Sequence, residues 1–388
     1  METVTRSRRT RLAEHLATLW QLMVKELRSF RADPVMMVLV VYTFSVAVVT
    51  VASGASTEAT NLAVGVVDED QSVLSRRIRD AMGPPLFRET RAIEATAIDA
   101  EMDKGGLVFV VEIPPKFEAD LLAGRTPSVQ VNVDATAMTQ AGNGAVYIQS
   151  IITSEVNAFL AGREGLASPP INVVVRVKFN PNLLSSWFTS VMQVINSITI
   201  LGLILTGAAL IREREQGTVE HLLVMPVVPA EIMLAKIAAN GLVVLGASAL
   251  SLTFVVGWWL GVPTGGPRAI ALFLAGAALY SLAIGALGIL LGTIAQSMGQ
   301  FGLLAIPVMV VLQLLSGSTT PMESMPAWLR YTMLAGTPTP HFVAFAQGVL
   351  YRGAGLDVVW RDVAALSAIG AVYFALALRR FRRVIFGS

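Results

Sequence analysis

The sequence predicts an α-helical polytopic membrane protein of six transmembrane helices, with an α/β extracytoplasmic domain between the first and second. The first observation is compositional: 54% hydrophobic and 14% charged residues over 388 positions, against about 25% charged in a soluble chain. The second is a series of uncharged apolar runs, each long enough to supply the about 20 helical residues that cross a hydrocarbon core. The third is an interval, 55–183, of ordinary globular composition in which strand-like and helix-like patterns alternate.

Residues 1–33 come before the first run. Leu12, Leu16, Leu19, Met23, Leu27 and Phe30 recur at steps of three and four, with Arg11, Lys25, Glu26, Arg28 and Arg31 off that line. This predicts an amphipathic helix lying along the inner membrane surface. The first span covers 34–54 and holds no charge between Asp33 and Glu58. It is too long, and too far from the start, for a cleaved signal segment with its apolar stretch of about 7–15 residues.

In the interval that follows, 62–67 and 107–112 look like buried strands, and 128–134 alternates strictly. Helices are expected after Asp68–Ser72, stopped by Gly83-Pro84, and after Pro114-Pro115, ended by Gly124. A long helix over 137–160 and a strand over 171–179 complete the domain. It is large enough to hold a core without disulfides. Its carboxylates, among them Asp68, Glu69, Asp70, Glu112 and Asp134, read as charged loops and not as a hydrolytic pair.

The remaining spans fall near 184–211, 237–260 with Lys236 at its entrance, 269–294, 300–316 and 363–378. No charge occurs from Ala269 to Met322, so the polar cluster Gln296, Ser297, Gly299 and Gln300 is the expected turn between two helices. Basic residues gather before the first span, after the second (Arg212, Arg214, Lys236) and in the tail (Arg379, Arg380, Arg382, Arg383). With six spans all three groups share one side, which places both termini in the cytoplasm.

The chain carries no nucleotide or metal signature. There is no G-x-x-x-x-G-K-[ST] segment, since none of Lys25, Lys104, Lys116, Lys178 and Lys236 follows a glycine. The 3 histidines, His15, His221 and His341, lie far apart, and there is no cysteine to assist them. A net charge of +2 gives no nucleic-acid footprint. The span centres also lack the ionisable relay of a proton- or sodium-driven carrier. What they offer is hydroxyl and amide: Thr189, Gln193 and Asn196 on the second span and Gln313 late in the fifth. Such groups glue helices together more often than they touch cargo, and both readings stay open.

After the second span comes REREQGTVEHLLVMPVVPAEIMLAK. Gly217 interrupts the helical exit, a short apolar-sided turn follows, and Pro226 and Pro229 redirect the chain. A positive-inside anchor accounts for Arg212 and Arg214 but not for Glu213, Glu215 and Glu220. This stretch resembles the segment after the second span of ABC-2 type permeases, the membrane subunits of one class of ABC exporter. VVDEDQSVLSRRI, VEIPPKFEADLLAGRTPSVQVNVDAT and SGSTTPMESMPAWLRYTMLAGTPTPHFVAFAQGVLYRG resemble the same family in the same order. One departure is Gln347, where that family commonly has arginine.

The resemblance implies a bacterial inner-membrane drug or multidrug efflux permease, a homodimer or a heterodimer with a similar permease. It would work with two separately encoded ATPase subunits that bind ATP and Mg, this chain holding no cofactor itself; membrane lipid surrounds it, and a periplasmic adaptor is left open. The family's connecting helix would fall on residues 1–33. Its coupling helix would fall at about 212–226, with Arg212, Glu213, Arg214, Glu215, Gly217, Thr218 and Glu220 as the ATPase-coupling residues. Thr189, Gln193, Asn196 and Gln313 are the candidate substrate path. Residues 184–388 form the bundle of spans two to six, with outer re-entrant half-helices at about 322–352. The expected cargo is an amphipathic compound: a drug, an antibiotic or a lipid-like molecule. An ion-coupled carrier and a membrane-anchored receptor are the competing readings.

Overall fold

The computed structural model describes residues 8–54, 62–84, 86–88, 90–103, 106–133, 138–164, 185–217 and 227–386. The expected strand over 171–179, Asp134, Thr218, Glu220 and the rest of the turn over 218–226 lie outside the described residues. The chain divides into two units, one of Met1–Gly54 with Ser186–Ser388 and one of Ala55–Ser185.

The helical unit begins with α1 (Arg8–Arg31) and α2 (Pro34–Gly54). Asp33 starts α2: its Oδ1 accepts from the amides of Val35 and Met36, both at 3.1 Å, and Pro34 occupies the first turn, where its missing N–H costs nothing.

The smaller unit holds β1 (Val64–Asp68), α3 (Val73–Ala81), β2 (Arg91–Ala92), α4 (Ile98–Asp103), β3 (Phe109–Ile113), α5 (Phe117–Leu122), β4 (Gln130–Val133) and α6 (Met138–Glu164). Its sheet runs β2-β1-β3-β4; β1 pairs in parallel with β2 and β3, and β4 is antiparallel to β3. Residues of period two go to opposite faces. Val64, Val66, Phe109 and Val111 join Leu74, Ile78 and Ile148 in one core, while Val67 and Val110 join Leu107 and Ile98 in another. The short β2 and α4 had no pattern long enough to be read from sequence.

The acidic loops of this unit are capping devices. Asp68 accepts from the Gln71 amide at 2.8 Å and the Ser75 hydroxyl at 2.8 Å, while Asp70 accepts from the Glu118 amide at 3.1 Å. Glu118 in return accepts from the Leu74 amide at 3.0 Å. Among the described residues no group of acids and histidines could hold a metal.

The helical unit resumes with α7 (Ser185–Glu215), α8 (Pro229–Trp259, π-helical from Ser251), α9 (Gly266–Ile294), α10 (Met298–Leu314), α11 (Ala327–Gly336), α12 (Thr339–Arg352) and α13 (Leu356–Phe386). Among the described residues five helices are long and apolar enough to cross a membrane: α2, α7, α8, α9 and most of α13. The expected fifth span is α10, which has only 17 residues and contains Pro307. At 1.5 Å per residue it is about 25 Å long. α11 and α12, with 10 and 14 residues, are shorter still.

Two boundaries differ from expectation. α8 starts at Pro229 and not near Ile237, so Lys236 lies inside the helix, 2% exposed, instead of marking its entrance. α13 starts seven residues before Val363 and runs past the basic tail. In α8 the helix continues through charged sequence because Lys236 has carboxylate partners in Glu26 and Glu213.

α7 is the central element. Most of its residues from Ser190 to Ile211 are buried. It meets α9 at a glycine crossing, where a Cβ on Gly288 would run into the Leu203 carbonyl and one on Gly207 into the Gly288 carbonyl, with the Phe301 ring of α10 packed on the same glycine. The stack of Tyr280 on Phe342, with centroids 4.3 Å apart, extends the core toward α12.

Candidate functional site

The last four residues of α7 each reach a different element, because consecutive positions on an α-helix point about 100° apart. Arg212 donates to Asp33 Oδ2 at 2.9 Å, so one carboxylate both caps α2 and holds the end of α7. Glu213 meets Lys25 of α1 at 2.8 Å and Lys236 of α8 at 2.9 Å. Arg214 donates to the carbonyl oxygens of Ala295 at 2.9 Å and Gly292 at 3.5 Å, neutralising the exposed carbonyl end of α9. Glu215 accepts from the Met298 amide at 2.9 Å, at the amide end of α10.

Lys236 is the buried centre of this hub. Its ammonium also meets Glu26 Oε1 at 2.9 Å, so two carboxylates flank one desolvated cation. Burial opposes the charge on Lys25, but its hydrogen bond to Glu213 and the fields of Glu213 and Glu26 outweigh that and hold the amine above its ordinary value. At the start of α8, Glu231 accepts from the Val228 amide at 2.8 Å and pairs with His15 of α1. Leu22 of α1 packs with Leu210, Ile232 and Met233 beneath these pairs. A cavity of about 170 Å³ beside them, bordered by Phe30, Met36, Leu205 and Asn240, leaves this joint less tightly filled than a core interior.

The predicted coupling residues therefore separate into two sets. Arg212, Glu213 and Arg214 are partly buried and engaged within the chain; Glu215 and Gly217 are exposed, and Gly217 has φ +68°, the left-handed region that favours glycine. Thr218 and Glu220 belong to the residues left undescribed. Sequence reasoning missed the partners Asp33, Lys25, Glu26 and Lys236. Glu26 lies off the apolar line of α1. Its side chain turns to Lys236, whose burial required a counter-charge.

The candidate path residues lie toward the other end of α7. Asn196 is 6% exposed, and its Oδ1 accepts from Ser318 at 3.5 Å. The Ser318 hydroxyl also donates to the Gln313 carbonyl at 3.1 Å, so the loop after α10 brings the Asn196 side chain and the Gln313 backbone together. Gln193 offers its carbonyl to Ser197 at 2.8 Å, and Thr189 donates to Ser186 at 3.5 Å; neither joins that cluster. A buried hydroxyl chain missed in the sequence lies nearby: Thr199 to Tyr280 at 2.7 Å and Tyr280 to Thr339 at 3.1 Å, linking α7, α9 and α12. Tyr280, the only ring hydroxyl in the charge-free run Ala269–Met322, was its available signal.

Comparison with known proteins gives this geometry a context. Residues 34–379 match the model of the ABC-2 family transporter protein. The chain is 50% identical over 372 residues to the Inner membrane transport permease YhhJ of Escherichia coli (strain K12), covering 96% of this chain and 98% of that one. It is 29% identical over 372 residues to the Probable multidrug ABC transporter permease YbhR of the same strain, covering 95% and 99%. With YbhS, also named a Probable multidrug ABC transporter permease, identity is 26% over 366 residues, covering 93% and 96%.

Proposed function

The chain belongs to the ABC-2 family of transporter proteins, a transport permease that works with an ABC ATPase subunit, and from that premise we propose that it exports an amphipathic compound using the α7 hub as its mechanical input. The observation that carries this reading is the division at the end of α7. Exposed Glu215 and Gly217 lead into the turn, while Arg212, Glu213 and Arg214 bind α2, α1, α8 and α9 from within. A push delivered at 212–226 would reach four elements through charge-assisted contacts, which are shorter and stronger than neutral ones.

Two ATPase subunits supply ATP and Mg chemistry from the cytoplasm in this reading, and two permease chains face each other. α10 is the fifth of six spans, α11 and α12 form outer half-helices, and residues 55–183 lie outside the membrane. Both half-helices are too short to cross, and α12 also has protein around it: Phe342, Phe345 and Val349 are fully buried. Cargo would move along the Asn196 side of α7, where the contact of Asn196 with Ser318 is long, at 3.5 Å, and cheap to exchange for a ligand. The relatives named for multidrug transport favour drug-like cargo.

The test is the double variant Glu215→Ala with Gly217→Leu. It leaves Lys236 and its partners intact, and is expected to keep expression while weakening ATPase copurification and abolishing cargo-stimulated hydrolysis. Parental copurification and export would remove the stretch from coupling. Orientation is checked separately in this cysteine-free chain: Ser128→Cys should react with an impermeant label from outside and Ser7→Cys should not.

A further inference from the structure

We propose that a cavity between α9 and α13 binds one anionic phospholipid of the surrounding leaflet. The cavity, of about 600 Å³, is lined by Leu290 of α9 and by Leu376, Arg379, Arg380, Arg383 and Val384 of α13. Positions 376, 380, 383 and 384 recur at steps of three and four, so one helix face sets its arginines between the apolar Leu376 and Val384. Leu376 and Val384 are 48% and 40% exposed. Hydrocarbon of an acyl chain would cover the first of these, and three guanidinium groups would meet the phosphodiester below it.

The charges around this cavity point to an anion. Among the described residues no hydrogen bond or ion pair joins Arg379, Arg380 or Arg383 to a protein group, whereas the nearby basic side chains Lys25, Lys236 and Arg212 are all matched to carboxylates. Arg379 and Arg383 stand four residues apart, where like charges repel across one helical turn. A helix C-terminus favours cations only within its last turn, which does not account for a trio set around an apolar hollow. Arginine is used here throughout, and its planar fork matches phosphate oxygens two at a time. Basic pockets between helices at a charged membrane surface are suited to phospholipid head groups. The leaflet, cytoplasmic, rests on the orientation proposed above; the lipid chemistry does not.

The experiment is native mass spectrometry of the purified full chain titrated with phosphatidylglycerol or phosphatidylcholine. The parent should retain phosphatidylglycerol preferentially. Replacing Arg379, Arg380 and Arg383 together by Gln should weaken retention by about fivefold per arginine removed. The same three changed to Lys preserve charge and membrane orientation, and should still bind several-fold more weakly than the parent. Arg382→Gln, outside the cavity, should leave retention unchanged. Equal retention of the two lipids, parental retention by the triple Gln variant, or an equal loss in Arg382→Gln would overturn the site. ATPase copurification is scored on the same samples, so loss of coupling with lipid retained would count against the transport reading alone.

Discussion

The two ends of α7 are held by opposite means. At Arg212–Glu215 every side chain makes a charged contact to a different element, at 2.8–2.9 Å for the closest pair of each. Around Thr189–Asn196 there is no charge, and the polar contacts include two at 3.5 Å; the helix is fixed there by shape, as at the Gly288 crossing farther along. The difference follows from the solvent. An ion pair is tolerable where water is near, but an isolated charge within hydrocarbon is expensive. The interior must therefore be locked by close packing and hydroxyls, which release more readily. In the proposed coupling, the stiff end would receive force and the compliant region would pass it on.

The sharpest way to break the stiff end is Lys236→Met. It leaves Glu26 and Glu213 facing each other without their buried counter-ion, and removing one member of a buried pair costs about 3–5 kcal/mol. Thermal unfolding in detergent should show a large drop, and adding Glu26→Gln with Glu213→Gln should recover much of it. No recovery would mean that packing, not charge, holds the hub.

Gly288→Leu attacks the shape-locked region. Its side chain must displace the Leu203 backbone, and overpacking of this kind costs about 1–3 kcal/mol. Unchanged stability would show that α7 and α9 can separate freely.

A third test uses His341, which extends the ion-pair principle to α12 and α13. Its Nδ1 lies 3.5 Å from Asp362, and its Nε2 donates to the Leu334 carbonyl at 2.8 Å. The Asp362 hydrogen bond, opposed by burial and aided by the Leu334 carbonyl, holds its pKa above the ordinary 6.5. A folded pKa raised above the unfolded one gives stability that is fully present below about 6.5 and lost as pH rises through the folded value. Unfolding midpoints should fall across that window in the parent and stay flat in His341→Gln. The same slope in both would assign the effect to another group.

The smallest expected change in stability is from Gln193→Leu with Asn196→Leu, which gives up weak contacts and adds apolar volume at a compliant site. Assembly should persist while the set of exported compounds shifts. An unaltered profile would return both residues to helix packing.

Much of the fold was legible because its signals are local. The apolar runs gave α2, α7, α9 and the core of α13, and the Ser72 cap and the left-handed Gly124 marked helix ends. Alternating and buried patterns gave β1, β3 and β4. The site was only half legible. The Arg-Glu-Arg-Glu cluster announced itself as more than an anchor, but nothing in its spacing tells which charge turns inward.

By itself, then, the sequence determined that the chain enters hydrocarbon repeatedly, where the apolar core of each long helix lies, and that an uncharged helix leaves the membrane through a charged exit. Those properties depend on neighbours a few residues away. Only the tertiary structure decided that Lys236 is buried, that Glu26 and Glu213 flank it, that Asp33 serves two helices at once, and that Asn196 meets Ser318. The contacts of Glu26 with Lys236, Asp33 with Arg212 and Asn196 with Ser318 join residues more than a hundred positions apart, and that of Glu213 with Lys236 joins two different helices. Charge pairing at that range is governed by which helices pack side by side, and no pattern along a single segment encodes that choice.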